Sequence, residues 1–371
     1  MTKAEVVPGD GIVLREARLD DADDIAAGAA DPLTQRFVPG LPSPYGREDA
    51  LQWITVAAPA RAAQGGAAFA IADPDTDRFL GIVGLRADTE AVGEVGFWVG
   101  PAARGRGVAT AATVAISRYG FDHGFERLVL RNEPENASSQ RVAIAAGYTR
   151  EGVQRGGGAN RGGDGRHDLL VWARLITDPP GPSVRLLPDL PGRGNGSDGE
   201  LTDGVVTLRP LGAADVEDTF ALRSLPEVMA SAVPPVPRPR EAIERACLRS
   251  QAGWLAGERA DFTIRDAATD AYAGEIGLYY WEPPSAQAMI GYSMLPQWRG
   301  LGYATRAARL VAGWAFDEVG IARLIAGTQP SNLGSQRVLE RAGFIREGYQ
   351  RSRLPGPNGT RIDDILYALL P

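Results

Sequence analysis

Two stretches decide the fold: Arg104-Gly105-Arg106-Gly107-Val108-Ala109-Thr110 and, in the second half of the chain, Arg299-Gly300-Leu301-Gly302-Tyr303-Ala304-Thr305. Each follows a short apolar run that ends at a proline, Pro101 or Pro296, and each opens a segment with apolar residues at helical spacing, such as Val108, Ala112, Ala115, Ile116 and Tyr119. A Gly-x-Gly turn between a strand and a helix exposes backbone N–H groups at the helix amino terminus. The partial positive charge there favours an anion such as a pyrophosphate. A phosphate-binding P-loop would need Gly-Lys-Ser/Thr, and a dinucleotide fingerprint would need a third glycine where Thr110 and Thr305 stand. One such turn is a weak signal; two in the same context point to anion binding.

Working outward, the two halves match in order along their length. Leu14-Arg15 recurs as Leu208-Arg209, and Asn136-x-x-Ser139-Gln140-Arg141-Val142 as Asn332-x-x-Ser335-Gln336-Arg337-Val338. Ala146-Gly147-Tyr148-x-Arg150-Glu151-Gly152 recurs as Ala342-Gly343-Phe344-x-Arg346-Glu347-Gly348, and the closing Arg166-x-Asp168 with Trp172-Ala173 as Arg361-x-Asp363 with Tyr367-Ala368. A repeat this long is a domain with its own core, not a solenoid unit. The Pro-, Gly-, Ser- and Asn-rich stretch 179–203 reads as a linker between domains 1–178 and 204–371. Strands are expected at 67–72, 79–85, 94–99 and 128–130, and at 262–265, 274–280, 289–295 and 324–327. Helices are expected from Gly107 and Gly302, and from Asn136 to Gly147 and Asn332 to Gly343, with each asparagine as an N-cap. The fold class is α/β.

Composition narrows the function. The chain has 371 residues, 44% hydrophobic and 23% charged, which excludes wholesale disorder. No window approaches the roughly 18 unbroken apolar residues of a membrane span, and the first ten residues lack the segments of a secretory signal, so no membrane and a cytoplasmic address are expected. Cys247 is the single cysteine, and His123 and His167 are the only histidines; no disulfide and no metal site are expected. A net charge of −7 argues against nucleic acid as a partner and mildly favours a cationic small substrate. Lys3 is the single lysine among 39 basic residues, a compositional trait of the chain.

These motifs together resemble the GNAT superfamily of acetyl-CoA-dependent N-acetyltransferases, whose phosphate-binding signature Gln/Arg-x-x-Gly-x-Gly/Ala fits Arg104-x-x-Gly107-x-Ala109 and Arg299-x-x-Gly302-x-Ala304. The Asn-x-x-Ser, Gly-aromatic with Glu-Gly, and Arg-x-Asp elements are similar to the RimJ/RimL branch. The resemblance implies two tandem domains, each a mixed, mostly antiparallel sheet flanked by helices. It implies acetyl-CoA as donor, CoA as product, and as acceptor a primary amine on a small molecule or a protein amino terminus. It further implies that backbone amides of Arg104, Gly105, Arg106, Gly107, Val108 and Ala109, and of Arg299, Gly300, Leu301, Gly302, Tyr303 and Ala304, wrap the pyrophosphate. The strand ends near Val99 and Leu295 would pair with the pantetheine arm, and Asn136 and Asn332 would contact the cofactor.

The copies differ where chemistry is expected. An alkyl ammonium with a pKa of roughly 10.4 must lose a proton before it attacks a thioester. Glu94 matches the position of the general-base glutamate in several relatives, whereas the second copy has Met289. Glu275 is a substitute on the neighbouring strand, opposite Ile82 in the first copy. A frequently used acidic tyrosine is replaced by Ala143 and Leu339, and an acidic residue beyond Glu-Gly by Gly158 and Leu354. Ser139 and Ser335 stand where RimL-like relatives have a serine near the thioester sulfur. The Arg-Gly-rich segment 156–165 superficially resembles an RNA-binding motif, but its counterpart from Leu354 onward makes a hairpin loop at the acceptor mouth the better reading. His167 faces Ile362 in the internal alignment, an ordinary strand position, and Tyr279, Tyr280, Trp281 and Tyr292 read as core or sheet cover. Three functions fit: a tandem N-acetyltransferase, a non-catalytic acyl-CoA-binding regulator, or one catalytic and one regulatory copy.

Overall fold

The computed structural model describes residues 6–89, 91–160, 165–193, 199–356 and 359–371, with the side chain of Trp281 outside that description. The chain divides into two compact units, Met1–Val184 and Arg185–Pro371. Unit 1 contains β1 (Val7–Gly9), β2 (Ile12–Arg15), β3 (Ala67–Ala72), β4 (Phe79–Thr89), β5 (Val92–Val99), β6 (Arg127–Asn132), β7 (Thr149–Ala159) and β8 (Arg166–Leu175). They form one sheet in the order β1-β2-β3-β4-β5-β6-β8-β7. The β5/β6 pair is parallel and the other neighbours are antiparallel.

The central strands are apolar on both faces because both are covered. On one face, Ile25, Ala50 and Ile54 from the helices after β2 pack on Ala70, Phe79 and Ile82. The other face carries the helix Val108–Asp122, which buries Val108, Ala112, Ala115 and Ile116. Gly120 lets this helix approach Leu85 and Leu128 so closely that a Cβ would stand 3.0 and 3.3 Å from their methyls.

Unit 2 repeats the plan with β9 (Leu201–Thr202), β10 (Val206–Pro210), β11 (Arg259–Asp266), β12 (Tyr272–Glu282), β13 (Gln287–Met294), β14 (Arg323–Thr328), β15 (Ile345–Pro355) and β16 (Arg361–Leu369). The order β9-β10-β11-β12-β13-β14-β16-β15 matches unit 1, and again a single pair, β13/β14, is parallel. The fold is therefore α/β with two tandem, mostly antiparallel sheets flanked by helices. Among the described residues no helix is long and apolar enough to cross a membrane.

Two repeated motifs hold the sheet together. Glu151 accepts from both terminal nitrogens of Arg127, at 2.8 and 2.5 Å, and Glu347 is paired with Arg323 in the same way. The Arg-x-Asp motif clamps the irregular part of the last hairpin: Arg166 donates to the carbonyls of Gly156 and Gly157, and Asp168 accepts from the Gly156 amide at 2.9 Å. In unit 2, Arg361 donates to the Ser352 and Arg353 carbonyls and Asp363 accepts from the Ser352 amide. These clamps explain why Gly156 to Gly158, read from sequence as loop, lie in β7. Residues 161–164 and 357–358 of the two hairpin loops lie outside the described residues.

The segment 179–203 is not a spacer throughout. Ser183 donates to the Tyr148 carbonyl at 2.8 Å in unit 1. Leu187 and Leu190 are buried in the core of unit 2, the Pro188 carbonyl accepts from the Trp254 indole at 2.9 Å, and Leu201–Thr202 forms β9. Residues 194–198 lie outside the described residues. Two leucines in a Pro/Gly-rich stretch carry no periodicity, which is why the sequence pattern missed their burial. A fragment 185–371 should therefore melt cooperatively, and a fragment 204–371 should be less stable by several kcal/mol, since each lost core leucine removes about 2–5 kcal/mol. Urea denaturation of the two fragments measures the difference; equal midpoints would show that 187–190 contributes nothing to the core.

Candidate active site

β5 and β6 run side by side for three rungs, Val92 with Arg127, Gly93 with Leu128 and Glu94 with Val129. Beyond that point β5 stays with β4 as far as Val99, while β6 stays with β8 as far as Asn132. The two parallel strands therefore part like a fork, and among the described residues the β6-facing backbone edge of 95–99 has no strand partner. Glu94 stands in the crotch. Unit 2 has the same fork: β13 and β14 pair from Gln287 to Met289 and then separate, with Met289 in the crotch.

The glycine loop lies where the fork opens. Gly105 and Gly107 have φ of 71° and 78°, Gly300 and Gly302 of 76° and 85°, a region that costs other residues strain. Gly107 is the N-cap of Val108–Asp122, and the first helical bond runs from the Ala111 amide to the Gly107 carbonyl. The amides of Val108 and Ala109 therefore have no acceptor within the helix, which makes this end an anion site. Space is open above both loops: a Cβ at Gly105, Gly107, Gly300 or Gly302 would meet nothing within 4 Å.

The signature arginines turn away from that space. Arg104 donates through Nε to the Val99 carbonyl at 3.2 Å and pairs with Asp31, and that pairing chiefly holds the Asp31 carboxyl below its usual range. Arg299 donates to the Met294 carbonyl at 3.0 and 2.8 Å and pairs with Glu227 at 2.9 Å. Each ties its loop to the strand end and to a helix of the amino-terminal cover. β13 ends at Met294, so Met294, not Leu295, is the counterpart of Val99; Leu295 opens the turn that follows. Arg106 and Leu301 sit between the glycines, exposed.

The serines lie at the start of the next helix. Asn136 caps Ala137–Ala145 by accepting from the Ser139 amide at 3.1 Å, and Asn332 does the same for Ser335 at 3.0 Å. The Oδ1 of each asparagine is thus taken up by its own helix, which leaves Nδ2 as the group that can reach a cofactor. Ser139 Oγ accepts from Asn132 at 3.3 Å, and Asn132 accepts from the Trp172 indole. Ser335 Oγ lies 2.9 Å from the Tyr292 hydroxyl, whose pKa burial pushes up to about 12. From sequence this tyrosine reads as core or sheet cover, since its counterpart is Phe97; its contact with Ser335 needs the fold. Tyr148, of the Gly-aromatic pair, is a fully buried core residue bonded to Ser117.

Glu94 is ion-paired: Arg86, across the rung on β4, and Arg131 on β6, at 2.9 Å, both reach Oε2. Glu275, the substitute in unit 2, is locked by Arg223 at 3.0 and 2.7 Å and by the Tyr272 hydroxyl at 2.7 Å. The floors also differ. Gly84 faces Gly96 in unit 1 and Gly277 faces Gly291 in unit 2. Gly96 is exposed, with open space above it, whereas the Tyr279 ring lies over both Gly277 and Gly291, 3.0 and 3.6 Å from where their Cβ atoms would be. His167 packs over Gly158, with Nδ1 at 3.0 Å from Asn160 and Nε2 at 3.5 Å from Glu133.

The family model described as an acetyltransferase (GNAT) domain matches residues 12–149 and 206–345, once in each unit. The chain is 40% identical over 114 residues to "Probable N-acetyltransferase YjcK" of Bacillus subtilis, covering 30% of this chain and 62% of that protein. It is 36% identical over 81 residues to "Uncharacterized N-acetyltransferase YnaD" of the same organism, covering 22% of this chain and 47% of that protein. The chain thus spans about half the length of these curated relatives. Among solved structures, Mycobacterium smegmatis RimJ in complex with CoA-disulfide is 24% identical, with a TM-score of 0.42 over 46% of this chain and 86% of that one.

Asp364 in unit 2 has no acidic counterpart in unit 1, where Leu169 stands. It is fully buried against Gly327, its Oδ1 has no hydrogen-bond partner and its Oδ2 accepts from Arg353 at 3.2 Å. Burial raises its pKa above the ordinary value. A carboxyl whose pKa is raised on folding destabilises the fold once the unfolded chain can ionise it more readily. The penalty is absent below the unfolded value of about 3.9, grows as pH rises above it, and is complete once pH exceeds the folded value. Asp364→Asn should raise the melting temperature at pH 7 and lose that advantage near pH 4, by about 1.4 kcal/mol per unit of raised pKa. Thermal melts across that range check it; a variant less stable at pH 7 would mean that the ionised carboxylate is stabilising.

Proposed function

We propose, from the premise that this chain belongs to the acetyltransferase (GNAT) family, that it is an N-acetyltransferase moving acetyl from acetyl-CoA to a primary amine in a ternary complex, with unit 1 as the working copy. The observation that carries this is the fork of unit 1: an open strand edge at 95–99 runs towards a helix amino terminus, with Glu94 in the crotch and an open floor at Gly96. An extended amide-bearing chain can pair with such an edge, and a pyrophosphate suits the amides from Gly105 to Ala109, the Arg104 amide being held by the Pro101 carbonyl instead. Those residues fit CoA. When bound, acetyl-CoA supplies a thioester whose carbon–sulfur bond breaks as the new carbon–nitrogen bond forms, releasing CoA.

Glu94 takes the amine proton, directly or through a water, by way of Oε1, the oxygen that neither arginine engages. Ser139, oriented by Asn132, stands at the start of the next helix to give a proton to the departing thiolate. The acceptor is a small-molecule amine or a protein amino terminus. Unit 2 retains the fork, the loop and Asn332, which supports cofactor binding there through the amides of Gly300 to Ala304, the Arg299 amide being held by the Pro296 carbonyl. Met289 in the crotch and Tyr279 over the floor favour a structural or regulatory role for unit 2, with Ser335 held by Tyr292.

Glu94→Gln should lower turnover about 10²–10⁴-fold, the usual scale for a positioned base, while leaving CoA affinity nearly intact. The deficit should shrink at high pH, where more of the acceptor is already neutral. Gly302→Trp, which fills the space above the second loop, should spare most turnover. Steady-state rates over a pH series with one established acceptor compare the two. Unchanged activity in Glu94→Gln with complete loss in Gly302→Trp would move the chemistry to unit 2.

A further inference from the structure

The sheet face that carries Glu94 changes character over three rungs. At Ile82 and Trp98 it is covered by apolar side chains from the amino-terminal helices. At the next rung, Gly84 and Gly96, the cover stops and Gly96 is exposed in the middle of a central strand. Arg61, from the helix Ala58–Ala63, lies across Gly84: a Cβ there would stand 2.5 Å from its Nη1, so a larger residue would push the guanidinium aside. At the third rung Arg86 faces Glu94, and Arg131 reaches the same carboxylate oxygen. Three guanidiniums thus ring a bare backbone floor, with Glu94 the carboxylate among them within the described residues.

Arg61 makes no ion pair among the described residues. Burial, and then the neighbouring Arg86 charge, disfavour its charged form. The one opposite charge acting on Arg61, Glu94, is already paired with Arg86 and Arg131, so a partly buried guanidinium beside an open floor is matched by an anion on the ligand, since arginine binds carboxylates through paired N–H donors. We propose that the acceptor of unit 1 is a primary amine that carries its own carboxylate, bound by Arg61 in a cleft made cationic by Arg86 and Arg131, with its nitrogen towards Glu94. This rests on the acetyltransferase reading of unit 1. It reverses the expectation drawn from the net charge of −7, because the field at the floor is set by the nearest groups. The same cations weaken the hold of the ammonium on its proton. In unit 2 the counterparts of Arg86 and Arg131 are Tyr279 and Gly327, so the preference belongs to unit 1.

Binding and turnover are read separately on the intact chain. Calorimetry on the CoA-saturated protein compares glutamate, a Glu-Ala-Ala amide, a Gln-Ala-Ala amide and spermidine. At least one acidic probe should bind about 10-fold or more tighter than the Gln peptide, the range of a charge-assisted hydrogen bond; whether glutamate or the Glu peptide binds better tells a small molecule from a chain terminus. Arg61→Gln should remove most of that preference and Arg131→Gln, on a different element, should reduce it, with CoA affinity reporting that each variant is folded. Equal or tighter binding of the Gln peptide or spermidine, or an acidic preference untouched by both substitutions, overturns the proposal. CoA release from acetyl-CoA is then followed with the same amines. An arginine-dependent acidic preference with no release from any amine sustains the acidic site and sinks the transferase reading.

Discussion

The structure depends on the competition for two parallel strands. β5 is held by β4 and β6 by β8, each along a longer antiparallel ladder than the three rungs that β5 and β6 share. The right-handed twist of a sheet rotates neighbouring strands relative to one another, and the weakest join opens first. The result is a strand edge without a partner in the middle of a sheet, an arrangement that a soluble domain otherwise covers. The loop amides, the signature arginine and the crotch residue all take their positions from this opening. Arg104 and Arg299 fix the loop to the strand end through its last carbonyl, so the amides stay pointed outward while the guanidinium is spent on anchoring.

The duplication separates scaffold from chemistry. Both units keep the fork, the left-handed glycines, the capping asparagine, the arginine–glutamate tie and the hairpin clamp. What differs lies on the sheet face proposed to meet the acceptor. Unit 1 places Arg61, Arg86, Arg131 and Glu94 around an open glycine floor, and unit 2 places Tyr279 over the same floor and Met289 in the crotch. A side chain that fills a floor excludes an acceptor as surely as a missing base slows it, so two independent differences favour unit 1.

Much of this was legible in the sequence because it is local. A Gly-x-Gly before a helical period, an asparagine three residues ahead of its capped amide, and the contrast of Glu94 with Met289 can each be read from a few consecutive positions. The fork is not local: it follows from which ladder continues and which stops. Arg61 was invisible for the same reason, since its place over Gly84 needs the β3–β4 hairpin and the preceding helix together. The Arg-x-Asp and Glu-Gly motifs were visible as repeats, yet their work is to clamp a hairpin and tie β6 to β7, which only the register reveals. The proposed acidic acceptor runs against the reading from net charge, which averages over the surface, whereas a half-buried cleft answers to the few charges within a Debye length.

Hydrogen–deuterium exchange on the intact chain, with and without saturating CoA, tests the central claim that the fork and its loop form the cofactor cradle. Exchange should slow in peptides spanning 95–99 and 104–110, because an edge amide gains a strand-like partner and the loop amides gain an anion. Calorimetrically verified CoA binding with exchange in both stretches unchanged would contradict it.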